Sequence, residues 1–139
     1  MVMEVIPTVM DAIRQSMRHS AGDHLSVPQF RCLNFIERQP GCSIGDVAGF
    51  LGVTMPTASA MADRLVRAGL VLPQTASDDR RRSQLQPTDS GRAQLAQIQQ
   101  GAQGDLEEAL ATCTRKELQT LQAGLAILRR TFRPDIERP

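Results

Sequence analysis

The chain has 139 residues, 41% of them hydrophobic and 22% charged, with a formal net charge of +1. That is one domain's worth of soluble, core-forming sequence. No apolar run approaches the roughly 18 residues of a membrane span, and MVMEVIPTVMD has no basic segment ahead of an apolar one, so neither a spanning helix nor a signal peptide is expected and a cytoplasmic location is.

In chain order, Val2, Ile6, Val9, Ile13 and Met17 recur at spacings of three and four and predict an amphipathic first helix. Pro7 lies inside that pattern and is equally a helix-start residue, which leaves the first turn open. SAGDHLS breaks the helix, and Pro28 to Arg38 reads as the second, with Phe30, Leu33 and Ile36 or Glu37 at helical spacing. Ser43 with Asp46 is a variant capping box for a short third helix that faces Ile44, Val47, Ala48 and Leu51 inward. Gly52 and Val53 turn the chain, Thr54 caps a helix from Met55 to about Ala68, and Gly69 stops it. Leu70 to Leu72 and Gln84 to Gln86 are strand candidates on either side of a polar tip. Thr88 caps a long helix carrying Leu95, Ile98, Ala102, Leu106, Ala109 and Leu110. Thr114 and Glu117 form a capping box for a last helix with Leu118, Leu121, Leu125, Leu128 and Phe132 at near-heptad spacing.

A short helix, a tight glycine turn, a second helix and a hairpin make a helix-turn-helix with a wing. The second of these helices offers Met55, Pro56, Thr57, Ser59, Ala60 and Arg64, mostly small or polar, where a solvated helix would carry Lys and Glu. Such a face can approach the floor of a major groove. Charge is unevenly spread: Arg64, Arg67, Arg80, Arg81, Arg82 and Arg92 are six of the sixteen cations. A basic patch of this kind binds phosphate while the molecule stays balanced; its bland alternative is a solvated loop.

The stretch LSVPQFRCLNFIERQPGCSIGDVAGFLGVTMPTASAMADRLVRAGLV, followed by DDRRR and PTDSG, resembles the MarR family of winged helix-turn-helix transcriptional regulators. The match runs from Leu25 to Gly91. It includes Leu25 and Gln29, Asp46-Val47-Ala48, Pro56-Thr57, Asp63-Arg64-Leu65, Gly69-Leu70-Val71, Asp79-Arg80-Arg81, and Thr88 with Gly91. The resemblance implies a mainly α fold with a small β-hairpin wing: a single domain over 1–139, a winged DNA-binding core over 28–91, and dimerisation helices over 1–20 and 92–134. It further implies an obligate homodimer on a pseudo-palindromic operator, and a repressor released by a small aromatic or lipophilic effector.

On this chain the recognition helix is then Thr54, Met55, Pro56, Thr57, Ser59, Ala60 and Arg64. The wing is Asp79, Arg80, Arg81 and Arg82, with Asp79 holding Arg81 ready for the minor groove and its neighbours meeting phosphates. The chain departs from the family in three places. Leu72-Pro73 and Pro87 replace an arginine and a leucine, and since proline donates no ladder bond, both strands are expected to be short and the tip mobile. Ala60 replaces a basic residue, so hydroxyls and apolar contact from Met55, Pro56 or Ala60 to a thymine methyl take the place of a guanine-reading fork. Met10, Arg14, Met17 and Phe30 are candidate effector-pocket residues; plain core packing is the alternative.

Enzymatic readings find no support: there are two histidines, His19 and His24, and no GxSxG, P-loop or dinucleotide glycine pattern, so no catalytic residue and no cofactor is expected. His19, Asp23 and His24 would supply at most a metal-responsive variant of the same fold. Cys32, Cys42 and Cys113 lack CxxC spacing and read as small buried apolar residues, with a thiol-based redox sensor as the alternative. A protein-interaction module on a decayed winged helix is the remaining reading, and the retained Asp79 and Arg81 argue against it.

Overall fold

A computed structural model describes residues 1–21, 25–73 and 84–132. Six helices follow in order: α1 (Val2–Ala21), α2 (Val27–Arg38), α3 (Ile44–Leu51), α4 (Met55–Arg67), α5 (Asp89–Leu110) and α6 (Arg115–Thr131). The chain divides into two compact units, Met1–Gln103 and Gly104–Pro139, with the boundary inside α5.

The helix starts are set by side chains that satisfy otherwise unpaired backbone donors. Ser43 and Asp46 form the expected reciprocal box: Asp46 N–H donates to Ser43 Oγ at 3.1 Å, and Ser43 N–H donates to the Asp46 carboxylate at 2.8 Å. Thr114 and Glu117 repeat it at α6. A third box, Ser26 with Gln29, was not among the expectations; it starts α2 at Val27, one residue before Pro28. Helix α1 runs through Pro7. Proline removes one bond to the carbonyl a turn earlier, but that carbonyl belongs to Met3, which is exposed and open to water.

The first unit is held by one apolar cluster. Leu33 and Ile36 from α2, Val47 from α3, Ala58 and Leu65 from α4, Val71, Leu85 and Ile98 from α5 are all essentially inaccessible to water. Alanines at 48, 58 and 62 let α3 and α4 pack closely. In the second unit α6 has no buried residue. Leu118, Leu121 and Leu125 stay between 39% and 54% exposed.

Among the described residues no continuous strand forms. The expected strands Leu70–Leu72 and Gln84–Gln86 reduce to two isolated antiparallel bridges, Val71 with Pro87 and Cys42 with Leu85. The second was not anticipated. It joins the segment before α3 to the segment before α5, with Leu85 N–H donating to Cys42 O and Gly41 N–H to Leu85 O, both at 2.8 Å.

Candidate nucleic-acid interface

The turn between α3 and α4 is built on one left-handed residue. Gly52 ends α3 at φ 67°, ψ 36°, a conformation that costs a residue with a Cβ roughly 1 kcal/mol or more. Two residues later Thr54 caps α4, its Oγ1 accepting from Thr57 N–H at 3.4 Å. The two hydroxyls, Thr54 Oγ1 and Thr57 Oγ1, also share a hydrogen bond of 2.9 Å. Pro56 occupies the first turn of α4, where its missing N–H has no intrahelical acceptor.

Helix α4 therefore has two distinct sides. Ala58, Ala62 and Leu65 are buried against α2 and α3. Thr54, Met55, Pro56, Thr57, Ala60 and Arg64 are exposed, and Ser59 is half-buried. Thr57, Ala60 and Arg64 fall on one stripe at spacings of three and four. Arg64 and Arg67 are exposed in the last turn and have no carboxylate partner among the described residues. Arg14 and Arg92, by contrast, are tied to Asp11 at 2.7 Å and Asp89 at 3.3 Å.

The base of the arginine-bearing segment is fastened at Thr88. Its N–H donates to Leu70 O at 3.0 Å, and its hydroxyl donates to Gly69 O at 2.6 Å while accepting from Gly91 N–H at 3.0 Å. One residue thus joins the end of α4, the returning segment and the start of α5. Gly91 is buried directly against the Leu70 carbonyl, with no room for a side chain. Asp79, Arg80, Arg81 and Arg82, with the expected mobile tip, lie outside the described residues, as do Asp23 and His24.

Sequence reasoning missed an aromatic stack on the α2–α3 face. Phe35 and Phe50 lie with ring centroids 4.5 Å apart and planes at 19°, and the Arg31 guanidinium sits 5.6 Å from the Phe50 centroid. It joins residues 15 apart in different helices, which no helical period reports.

The four pocket candidates separate. Met17 and Phe30 line a narrow cleft with Ala21, Leu25 and Ile98, between α1, α2 and α5, with no room for a water molecule. Met10 and Arg14 are exposed and do not line it. Among the described residues no group of three His, Cys, Asp or Glu could share a metal ion. Cys32 and Cys42 are buried, and burial pushes each thiol up to about 11, reinforced for Cys32 by Cys42 and for Cys42 by Asp46. Such thiols stay protonated and poorly nucleophilic; Cys113 is half-buried.

The MarR family model matches residues 25–82, the stretch that supplies α2, α3, α4 and the segment beyond. Residues 25–82 belong to the MarR family. The uncharacterised HTH-type transcriptional regulator YfiV of Bacillus subtilis is 24% identical over 108 residues, which is 78% of this chain and 68% of YfiV. A MarR family protein from Bacillus stearothermophilus superposes with a TM-score of 0.82 at 16% identity, over 96% of this chain and 94% of its own. The Mycobacterium tuberculosis MarR family protein Rv2887, solved with DNA, gives a TM-score of 0.71 at 21% identity, over 92% of this chain and 97% of its own. These similarities extend the MarR fold beyond the matched segment to nearly the whole chain.

Proposed function

We propose that the protein is a sequence-specific DNA-binding transcriptional regulator, a repressor released by a small ligand, that binds a pseudo-palindromic duplex as a homodimer in the cytoplasm. The observation that carries this reading is α4. Within the MarR segment, a left-handed turn at Gly52 presents a helix whose outer side is small and polar and ends in two arginines that have no carboxylate partner among the described residues. Rv2887 has been solved both with DNA and with p-aminosalicylic acid, which supports the same two partner classes here. No catalytic role is assigned.

In this reading residues 28–91 are the DNA-binding part and 1–20 with 92–134 the dimerisation helices. The apolar residues left exposed support it. Val2, Val5, Ile6 and Val9 of α1 are between 40% and 57% accessible, and α6 offers its leucines. A second copy burying both faces would set two recognition helices about 34 Å apart, one turn of DNA. In the wing, Asp79 holds Arg81 for the minor groove, and Arg80 and Arg82 meet phosphates. The effector is a small aromatic carboxylate or lipophilic molecule, taken up around Met17 and Phe30, with Met10 and Arg14 joining if the cleft opens.

The test is equilibrium binding to a duplex selected from a random library, across salt, with sedimentation beside it. For six or more neutralised phosphates the log–log slope is roughly −5 or steeper. A flat response between about 50 and 200 mM salt, or a stable monomer at micromolar concentration, would overturn the reading.

A further inference from the structure

The first two turns of α4 read Met55-Pro56-Thr57-Ala58-Ser59-Ala60-Met61-Ala62. None of these side chains is Arg, Lys, Asn, Gln, Asp or Glu. The side chains that distinguish guanine, adenine or cytosine through paired hydrogen bonds are therefore missing from the part of the helix that reaches deepest into a groove. Three hydroxyls remain near its start, and two of them, on Thr54 and Thr57, are bonded to one another. Ser59 is half-buried. One O–H of the threonine pair and the Ser59 hydroxyl remain, but a single hydroxyl bonds donors and acceptors alike and does not fix a base. The base-selective contact left is apolar, and in the major groove the one apolar feature of a base pair is the thymine C5-methyl group.

Among the apolar candidates, Met55 is the one shaped for it. Ala60 offers a single methyl group close to the backbone, and Pro56 a short fixed ring. Met55 is the first residue of the helix, is 54% exposed, and has the longest reach. Its thioether also has a seat. Gly45, in the first turn of α3, has no side chain, and the Met55 sulfur lies 3.8 Å from the point where a Gly45 Cβ would stand. A Cβ at 45 would stand in ordinary van der Waals contact with that sulfur, so the thioether lies against the surface of α3 at this point. An unrestrained methionine loses rotamer freedom when ordered, so a seat formed in the free protein lessens the loss on docking. The thioether is polarisable and adapts to an irregular apolar partner.

We propose that Met55, seated on Gly45, reads a thymine methyl group in the major groove and is the principal base-specificity determinant of α4. This rests on the DNA-binding reading above and adds the base it selects. The experiment uses the full-length protein and a duplex it has itself selected, with each thymine replaced in turn by deoxyuridine, which removes only the methyl group. One thymine per half-site should show a loss of about fourfold in affinity, the value of one buried carbon. Met55→Ala should bind the thymine duplex more weakly and show no deoxyuridine loss at that position. Met55→Gln keeps the length of the side chain and removes its apolar end; whatever polar contact it makes to the adenine of that base pair, it too should show no deoxyuridine loss there, which covers the case in which alanine disturbs the helix start. A deoxyuridine loss that persists undiminished in both variants, or no deoxyuridine loss anywhere in the wild type, overturns the role of Met55 while the DNA-binding reading stands. Failure of the wild-type protein to select any duplex overturns the DNA-binding reading itself.

Discussion

Replacing Gly91 by alanine sets two known effects against each other. Alanine in a helix is favoured over glycine by about 1 kcal/mol, from backbone entropy alone. At this position, however, the added Cβ falls on the Leu70 carbonyl oxygen, within 3.1 Å of the Leu70 carbonyl carbon and 3.4 Å of Leu33 Cδ1. The oxygen cannot retreat freely, because it accepts from Thr88 N–H at 3.0 Å and Thr88 is in turn bonded to Gly69 and Gly91. Forcing a carbon into a closed backbone contact costs about 1–3 kcal/mol, and loosening the Thr88 bond about 1 kcal/mol more. The net expectation is a destabilisation of about 1–3 kcal/mol. Gly104 is the control: it lies in the same helix with nothing within 4 Å of its missing Cβ, so Gly104→Ala should stabilise by about 0.5–1 kcal/mol. Urea unfolding followed by circular dichroism reads both midpoints. A Gly91→Ala midpoint at or above the wild-type value would refute the close-contact account and leave helix propensity as the only effect.

Three further outcomes are expected. Cys32 and Cys42 are held up to about 11 by burial. Their protonated forms are the ones the fold favours, so their contribution is complete below the ordinary thiol value near 9 and is lost as pH climbs toward 11; unfolding midpoints that do not move over that interval would contradict it. Asp46 is held below the usual carboxylate range, first by the Ser43 backbone N–H and then by its hydroxyl. Ser43→Ala should therefore lose about 1 kcal/mol at neutral pH, and the gap to wild type should narrow as pH falls through the Asp46 value, as denaturant titrations at successive pH values will show. Arg81→Ala should weaken operator binding by about 1–3 kcal/mol. Asp79→Ala should weaken it too, although it removes a negative charge, with the double variant less damaged than the sum of the singles; tighter binding by Asp79→Ala in a fluorescence titration would refute the clamp.

Local features of this fold were legible in the sequence, and the long-range ones were not. The boxes at Ser43 and Thr114 and the cap at Thr54 are bonds over three residues between types that do little else at such spacing, and the structure has all three. The box at Ser26 obeys the same rule, but Pro28 drew the helix start one residue too far along. Pro7 left the first turn of α1 open for the related reason that proline is common at helix starts; an exposed helix tolerates it further in. The Phe35–Phe50–Arg31 stack and the Cys42–Leu85 bridge join residues far apart in sequence, and no window of a dozen residues contains both ends. Within the candidate site, the residue types along α4 were readable and their two-sidedness followed from period. The Thr54–Thr57 hydroxyl pairing and the seat of Met55 on Gly45 depend on how α3 crosses α4, and only coordinates supply that.

The two prolines beside the arginine-bearing segment show how a donor count along a sequence misleads. From the sequence, each proline removes a ladder hydrogen bond. In the structure Val71 and Pro87 face each other in a bridge whose bonds are made by their neighbours, Leu72 N–H to Gln86 O at 2.9 Å and Thr88 N–H to Leu70 O at 3.0 Å. Residues 71 and 87 are thus a non-hydrogen-bonded antiparallel pair, and neither owes the other an N–H. Pro73, two residues on, would keep the same parity in any continuation of this pairing. The prolines therefore take nothing from this pairing. Their effect falls on the opposite edges. Leu85 directs its N–H and carbonyl toward Gly41 and Cys42, and Pro87 is the next residue facing that way, so pairing on that side stops after one bridge. A donorless position at an edge also blocks addition of a further strand. Proline at 73 and 87 is thus compatible with the bridge at the base of the arginine-bearing segment, and it limits where pairing there can grow.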